Sequence, residues 1–491
     1  MLAYVPDLNP RLHNTVGMRR LTVWLNKFAS SVSGSLHRAL ARHTSSTPSA
    51  PDLSPVEARA TKTVLVLGAN GFFGRHLVPA LRQQGHDVIA GVRKLPAGHD
   101  PDVRYIETDF TQGKETRDWL PVLDGVEVVI NAVGLLREHG SQTFRTVHEQ
   151  TPIALFQACQ QAGVGLVIQF SALGADEAAA NAYHLSKKAA DDALRALDMP
   201  AFILQPSLVF GPDGTSARLF TTLSSLPLLP LPGGGGQYVQ PVHIRDVASL
   251  VQALVPLNPA GPITIPVVGP EAVTMHEYCA ALRRQMELGR LRMLSVHRAV
   301  TGLAARIGQW LPSSLLTPDT LAMLERGNTA EADNMHFFLG RDATPVESFI
   351  SPAEAEGFRA VALLGWLLPL LRFSIALVWI VTGVLSLGIY PVQESYALLA
   401  QVGLTGLAAS IALYGAACMD IALGIATLLL RKRRLLWKLQ IAVIVGYTLI
   451  LSWFVPAFWL HPFGPLLKNL PMLALIFALL KLERDDGLPH R

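Results

Sequence analysis

Tyr183 and Lys187 stand four residues apart in the run Tyr-His-Leu-Ser-Lys, so a helix sets both on one face. A nearby ammonium favours a phenolate and lowers a tyrosine pKa, which equips the phenol as an acid or base near neutral pH. Alone, this spacing arises often by accident. Ser171 gives it weight, because it follows the apolar run Leu-Val-Ile-Gln-Phe, where the carboxyl edge of a parallel sheet collects ligands. A second group of residues points to a phosphate. Gly68, Asn70, Gly71, Phe72, Phe73 and Gly74 lie between the apolar Thr-Val-Leu-Val-Leu and the helical Arg75–Gly85 stretch. Glycines there permit a tight turn and close approach of backbone to a pyrophosphate, which the helix N-terminus then faces.

Dinucleotide choice is read at the end of the next strand, Gly91-Val92-Arg93-Lys94. An acid there would bond the ribose hydroxyls of NAD, whereas arginine accepts a 2′-phosphate. NADP is therefore favoured, with NAD the alternative, and Arg93 and Arg75 are the candidate phosphate contacts. For Arg93 the competing reading is a solvated surface cation.

The elements that must position these groups follow in order. From Thr63 to Gly211 short apolar runs alternate with helical segments, the pattern of a buried parallel sheet covered on both faces. The expected fold is an α/β doubly wound Rossmann domain over 62–270, with a smaller, mainly helical substrate-side region over 271–360. An all-α four-helix transmembrane domain is expected over 361–491. Its apolar spans fall near 370–390, 404–430, 435–456 and 466–481, the last marginal for a crossing that takes about 20 residues. Residues 1–61 form a basic leader without an acid between Asp7 and Asp52, expected to be disordered.

Composition narrows the function classes. Of the 491 residues 50% are hydrophobic and 16% charged, with the apolar excess in the tail, so a purely soluble protein is excluded. The net charge of +4 comes with no long basic tract, which argues against nucleic acid. Cys159, Cys279 and Cys418 show no metal-ligand spacing, so neither a disulfide framework nor a metal site is expected. Arg431-Lys432-Arg433-Arg434 joins the second and third spans. Positive loops stay cytoplasmic, which puts both termini and the Rossmann domain on the cytoplasmic side of a cell inner membrane.

Taken together, Gly68–Gly74, Asp109-Phe110, Asn131-Ala132-Val133-Gly134, Ser171, Tyr183 with Lys187, and Pro206–Gly211 resemble the short-chain dehydrogenase/reductase superfamily. The likeness is to its extended, atypical NAD(P)-binding branch, related to NAD-dependent epimerases and dehydratases, and covers about 62–350. It implies that Asp109, beside Phe110, meets the adenine and that Asn131 to Gly134 border the cofactor. It further implies that Lys187 bonds the nicotinamide ribose, Tyr183 moves a proton and Ser171 holds the substrate oxygen. The Ser-Ala-Leu-Gly-Ala run at 171–175 is similar to the subgroup around the complex I accessory subunit and quinone-biosynthesis proteins, some of which bind a dinucleotide without turnover. Residues 370–482 resemble the DoxX-like membrane modules through Trp379–Gly383, Ser386–Gly388, His461–Pro465 and Lys468–Pro471.

Several polar residues carry two readings. His243 and Asp246 are read either as site-lining or, for Asp246, as a helix cap. Gly233–Gly236 is read as a flexible loop near the substrate, with a second phosphate cradle as the alternative. Asp420, deep in the second span, faces either another span or a proton path. His461 and Lys468 meet headgroups, a quinone head, or only the interface.

The function these features imply is a membrane-anchored NAD(P)H-dependent oxidoreductase or epimerase-type enzyme. Its substrate is expected to be hydrophobic, quinone- or lipid-like, since tethering concentrates such a partner. The alternative is a non-catalytic NAD(P)-binding scaffold or redox sensor in a membrane protein complex.

Overall fold

The computed structural model describes residues 61–95, 98, 100–308 and 318–483. All but the last residue of the expected leader lies outside them. Seven parallel strands form the central sheet: β1 (Thr63–Leu67), β2 (Asp87–Val92), β3 (Arg104–Glu107), β4 (Val128–Asn131), β5 (Leu166–Phe170), β6 (Ala201–Pro206) and β7 (Pro262–Val267). Their spatial order is β7-β6-β5-β4-β1-β2-β3, so the direction of winding reverses between β1 and β4, where ligands bind in such folds.

Strand alternation sends successive side chains to opposite faces. Val64, Val66, Val128, Ile130, Ile168 and Phe170 enter one core with α1 (Gly74–Gln83). Leu65, Leu67, Val129 and Val167 enter the other with α2 (Thr151–Ala162) and α3 (Ala182–Arg195). Both faces are apolar, which explains the near-continuous hydrophobic runs in the sequence.

The substrate-side region packs α4 (Thr215–Ser225) on a helix placed later in the chain. That region shares a core with Phe210, Tyr278 and Phe349, all buried. Further along, α5 (Ile244–Leu254) covers the sheet, and α6 (Met275–Gln285) opens with a capping box between Thr274 and Glu277. Residues 298–308, 318–326 and 333–339 are helical, as the sequence suggested. The helix α7 (Pro352–Val384) starts from a second capping box, Ser351 with Glu354, and has Pro352 in its first turn, where a missing N–H costs nothing. It runs unbroken through residue 360, where the sequence suggested a boundary.

Beyond it lie α8 (Gly406–Leu429), α9 (Arg434–Phe454) and α10 (Asn469–Leu482). Helix α7 with its continuation to Ile389, α8 and α9 are long and apolar enough to cross a membrane. The fourth expected span is the 14-residue α10, about 21 Å long, shorter than the roughly 30 Å hydrocarbon core. It packs on α9 through a shared core with the fully buried Trp437. Close approach of α7 and α8 rests on glycine: a Cβ on Gly424 would stand 2.5 Å from Ile380, and one on Gly383 2.7 Å from the Ala417 carbonyl.

Candidate functional site

The glycine loop closes β1 onto α1. Gly68 has φ +78°, and a Cβ on Gly74 would stand 2.4 Å from Ala69 Cα and from the Gly68 carbonyl, so no other residue fits there without moving backbone. A Cβ on Gly71 would meet that same carbonyl at 2.9 Å. This brings the N-terminus of α1, whose dipole favours an anion, to the carboxyl edge of the sheet, where a pyrophosphate would sit. Asn70 and Gly71 are exposed. Phe73 instead packs its ring 4.5 Å from Phe170 at the end of β5, and Phe72 lies against Gly211 and Gly214. Both aromatics brace the loop.

At the adenine side, Asp109 accepts from Thr111 N–H at 2.9 Å through one carboxylate oxygen, and stays half-buried. The Phe110 ring is not at the site: it is buried with its centroid 5.3 Å from that of Trp119. Arg93 is exposed directly after β2. Arg75 is paired with Asp213 at 2.7 Å across the loop surface. The Asn131 side chain is fully buried; it donates to Gln169 at 2.7 Å and accepts from Val133 N–H at 3.2 Å. It shapes the Ala132-Val133-Gly134 edge from beneath, and Gly134 is exposed there.

Helix α3 starts where it does because Asn181 caps it, accepting from His184 N–H at 2.8 Å. The helix then buries Lys187, Ala190, Asp191 and Leu194 on one face. Lys187 donates to the Phe170 carbonyl at 2.8 Å. Ser171 follows the alternation of β5 onto the face that α3 covers, and its hydroxyl donates to Asp191. Burial pushes the Asp191 carboxyl up and the Lys187 ammonium down, each opposing the other's shift.

The Ser171 hydroxyl, expected to hold a substrate oxygen, donates to Asp191. One expectation is corrected here: Lys187 does not lower the Tyr183 pKa. The phenol lies among the rings of Phe144, His148 and His184, with centroids 5.3 to 5.8 Å away, and burial pushes it up to about 12.

His148 and Asp191 escaped sequence reasoning. His148 accepts from Leu135 N–H at 3.0 Å through Nε2, while Nδ1 lies 3.1 Å from Ser186 Oγ. The Ser186 hydroxyl donates to the Tyr183 carbonyl at 2.8 Å. The acceptor role of Nε2 assigns the proton to Nδ1, and burial with the nearby Lys187 lowers this histidine to about 2. A signal existed for Asp191: it continues the four-residue spacing of Tyr183 and Lys187. None existed for His148.

The helical region reaches the site through Arg326, whose guanidinium holds both Asp176 oxygens, at 2.6 and 2.7 Å, and the Gly174 carbonyl at 3.1 Å. Farther off, His243, not Asp246, caps α5, accepting from Arg245 N–H at 3.1 Å. Asp246 is fully buried on Arg341 and Thr344 N–H. Both belong to the scaffold. Among the described residues no cluster of His, Cys, Asp or Glu suits a metal ion.

Residues 64–263 match the NAD dependent epimerase/dehydratase family, and residues 376–477 the DoxX-like family. Over 197 residues the chain is 32% identical to the ceramide reductase of Caulobacter vibrioides, covering 40% of this chain and 61% of that protein. It is 30% identical over 227 residues to NADH dehydrogenase (ubiquinone) 1 alpha subcomplex subunit 9, mitochondrial, of Arabidopsis thaliana, covering 43% of this chain and 55% of the relative. The Mus musculus protein of the same name is 30% identical over 194 residues, covering 37% and 50%. The chain thus spans between half and about three-fifths of these relatives' lengths.

Proposed function

We propose that this chain, which joins a domain of the NAD dependent epimerase/dehydratase family to a DoxX-like family domain, is a membrane-held NAD(P)H-dependent oxidoreductase for a lipid- or quinone-like carbonyl. The observation that carries this reading is helix α7. Its first turns pack on α4 of the substrate side, where a Cβ on Gly365 would stand 2.6 Å from Thr222, and the same helix continues as an apolar span. A catalytic domain held this way works at a bilayer surface, where its substrate is concentrated. The Caulobacter relative, by its name, reduces a lipid, which supports the same substrate class here.

A bound dinucleotide supplies the hydride. The chain's own part is to hold that cofactor at the glycine loop and to manage one proton. Tyr183, with its pKa raised, stays protonated at neutral pH and so is set to donate to a carbonyl oxygen as that oxygen gains charge. Lys187, fixed at the end of β5, bonds the ribose hydroxyls. Arg93, exposed directly after β2, supports NADPH over NADH.

Orientation follows from one end of the bundle. Glu483 receives Arg372 of α7 and Trp437 of α9, and Arg433 donates to the Thr427 carbonyl at 2.9 Å. The arginine-rich connection therefore lies at the end from which α7 leads to the Rossmann domain. A positive loop stays cytoplasmic, so both belong on the cytoplasmic face of the inner membrane.

A second reading, a dinucleotide-binding scaffold within a membrane complex, is favoured by the Ser171 hydroxyl being taken by Asp191. Tyr183→Phe in the full chain separates the two. The enzyme reading expects turnover of NADPH with quinones or lipid carbonyls to drop by about 100-fold or more, with NADPH affinity, read by fluorescence titration, unchanged. Unaltered function in cells carrying Tyr183→Phe would sink the enzyme reading and leave the scaffold.

A further inference from the structure

One half of the membrane bundle carries polar side chains that its own packing leaves unanswered. Gln440 of α9 and Thr427 of α8 are fully buried. The Gln440 amide donates to the Thr427 hydroxyl at 2.8 Å, and its carbonyl oxygen has no partner. Seven residues before Thr427, about 10 Å deeper along α8, Asp420 has a carboxylate oxygen buried without a partner. On α7 the indole N–H of Trp379 is equally unpartnered, with 4% of the residue exposed. Within hydrocarbon such groups are costly unless something meets them.

These groups converge. Helices α7 and α8 run antiparallel along a seam in which Gly383 lies against Ala417 and Ile421, and Gly424 against Ala376 and Ile380. Trp379 stands one position before Ile380, and Asp420 one before Ile421, so both project to the same side of the seam. From α9, Tyr447 comes close enough to Asp420 to sense its charge. Past Tyr447, toward the opposite end, Thr448 accepts from Asn469, while Ser452 donates to the Thr448 carbonyl and accepts from Trp459, so the polar groups there answer one another. The unanswered ones lie between Asp420 and the end that carries Arg433, whose guanidinium meets the Thr427 carbonyl.

We propose that this line of groups is a water-filled proton inlet joining the cytoplasmic face to Asp420, an inference resting on the membrane reading above. The interval from Thr427 to Asp420 takes about three hydrogen-bonded waters. The Gln440 and Asp420 oxygens accept from them and they accept from the Trp379 N–H, which satisfies all three orphaned atoms. The innermost water passes a proton to the Asp420 carboxylate and is refilled in turn by its neighbour, so the acid exchanges its proton with the cytoplasm. The membrane domain thereby holds a proton-binding site of its own, apart from Tyr183 and the dinucleotide loop.

The test is infrared spectroscopy of the full chain in dodecyl maltoside, a detergent without carbonyl groups, on transfer from light to heavy water. A protonated Asp420 gives a carboxylic C=O band that is missing in Asp420→Asn, and in wild type this band is expected to shift as soon as heavy water is added. Gln440→Leu, with unfolding temperature and NADPH affinity as in wild type, is expected to slow the shift about tenfold, and Thr427→Val serves the same end should Gln440→Leu not fold. Absence of an Asp420 band, the mark of a carboxylate that holds a cation, overturns the proposal. So does a band that never shifts, which assigns Asp420 to a sealed contact between spans, or one that shifts at the wild-type rate in the variants. Failure of the membrane reading shows separately, as release of the chain from cell membranes by alkaline carbonate, and removes the inlet with it.

Discussion

Ser171 lies on the same face of β5 as Val167 and Gln169, and that parity, more than its place at the strand end, decides what its hydroxyl touches. On that face it meets Asp191, which also stands one turn from Lys187. The acid and the ammonium are both buried, so removing the acid leaves an unpaired charge, at a cost of about 3–5 kcal/mol. Two variants divide the roles. Ser171→Ala is expected to lower kcat by less than about tenfold, far from the 100-fold or more lost with a donor to a reacting oxygen. Asp191→Ala is expected to lower both the unfolding temperature and kcat, since Lys187 loses the charge that favours its protonated form. A larger loss for the serine variant than for the aspartate variant would restore Ser171 to the reacting centre. Of these residues, the glycines were legible because the turn from β1 into α1 admits no side chain, and the shared helix of Tyr183 and Lys187 because it is a local feature of spacing. The direction of Ser171 and the burial of Phe110 and Asn131 were not, because they depend on which helix covers which face.

Elements show the same division. Alternating apolar runs made the sheet legible, and Ser-Pro-Ala-Glu at 351–354 marks the start of α7 as clearly as any capping box. The π-helical turn at Arg145–Gln150 was not legible. Its cause is local: Pro152 has no N–H for the His148 carbonyl, and the turn widens so that Thr151 N–H reaches Thr146 instead. The widened turn carries His148 under Gly134, where a Cβ on that glycine would stand 3.6 Å from Nε2. A buried histidine of this kind must stay neutral to accept from Leu135. Its folded pKa of about 2 lies below the unfolded value of about 6.5. Between these values the unfolded chain binds the extra proton, so stability falls as pH drops below about 6.5, by up to about 1.4 kcal/mol per pH unit. Thermal unfolding of the full chain between pH 7.5 and 5.5 should show this decline, and His148→Gln, which still accepts from Leu135, should flatten it. An equal slope in the variant would place the acid sensitivity elsewhere, with the buried His243, lowered to about 4, the next group to test.

At the scale of the whole molecule, the sequence placed the apolar tail correctly and hid its junction, because apolar residues begin at Ala360 within a helix already eight residues long. That helix links Thr222, against Gly365, to the Arg372–Glu483 pair without a loop between them. A rod of this kind fixes azimuth as well as height. Each residue inserted between Gly365 and Arg372 turns the catalytic domain by about 100° and lifts it by about 1.5 Å, so activity on a bilayer-borne substrate should oscillate with insertion length. Two added alanines face the substrate side away from the leaflet, whereas four return it nearly to its starting bearing and restore most of the rate. A flexible tether would instead give a smooth decline, and a soluble substrate would report no rhythm at all.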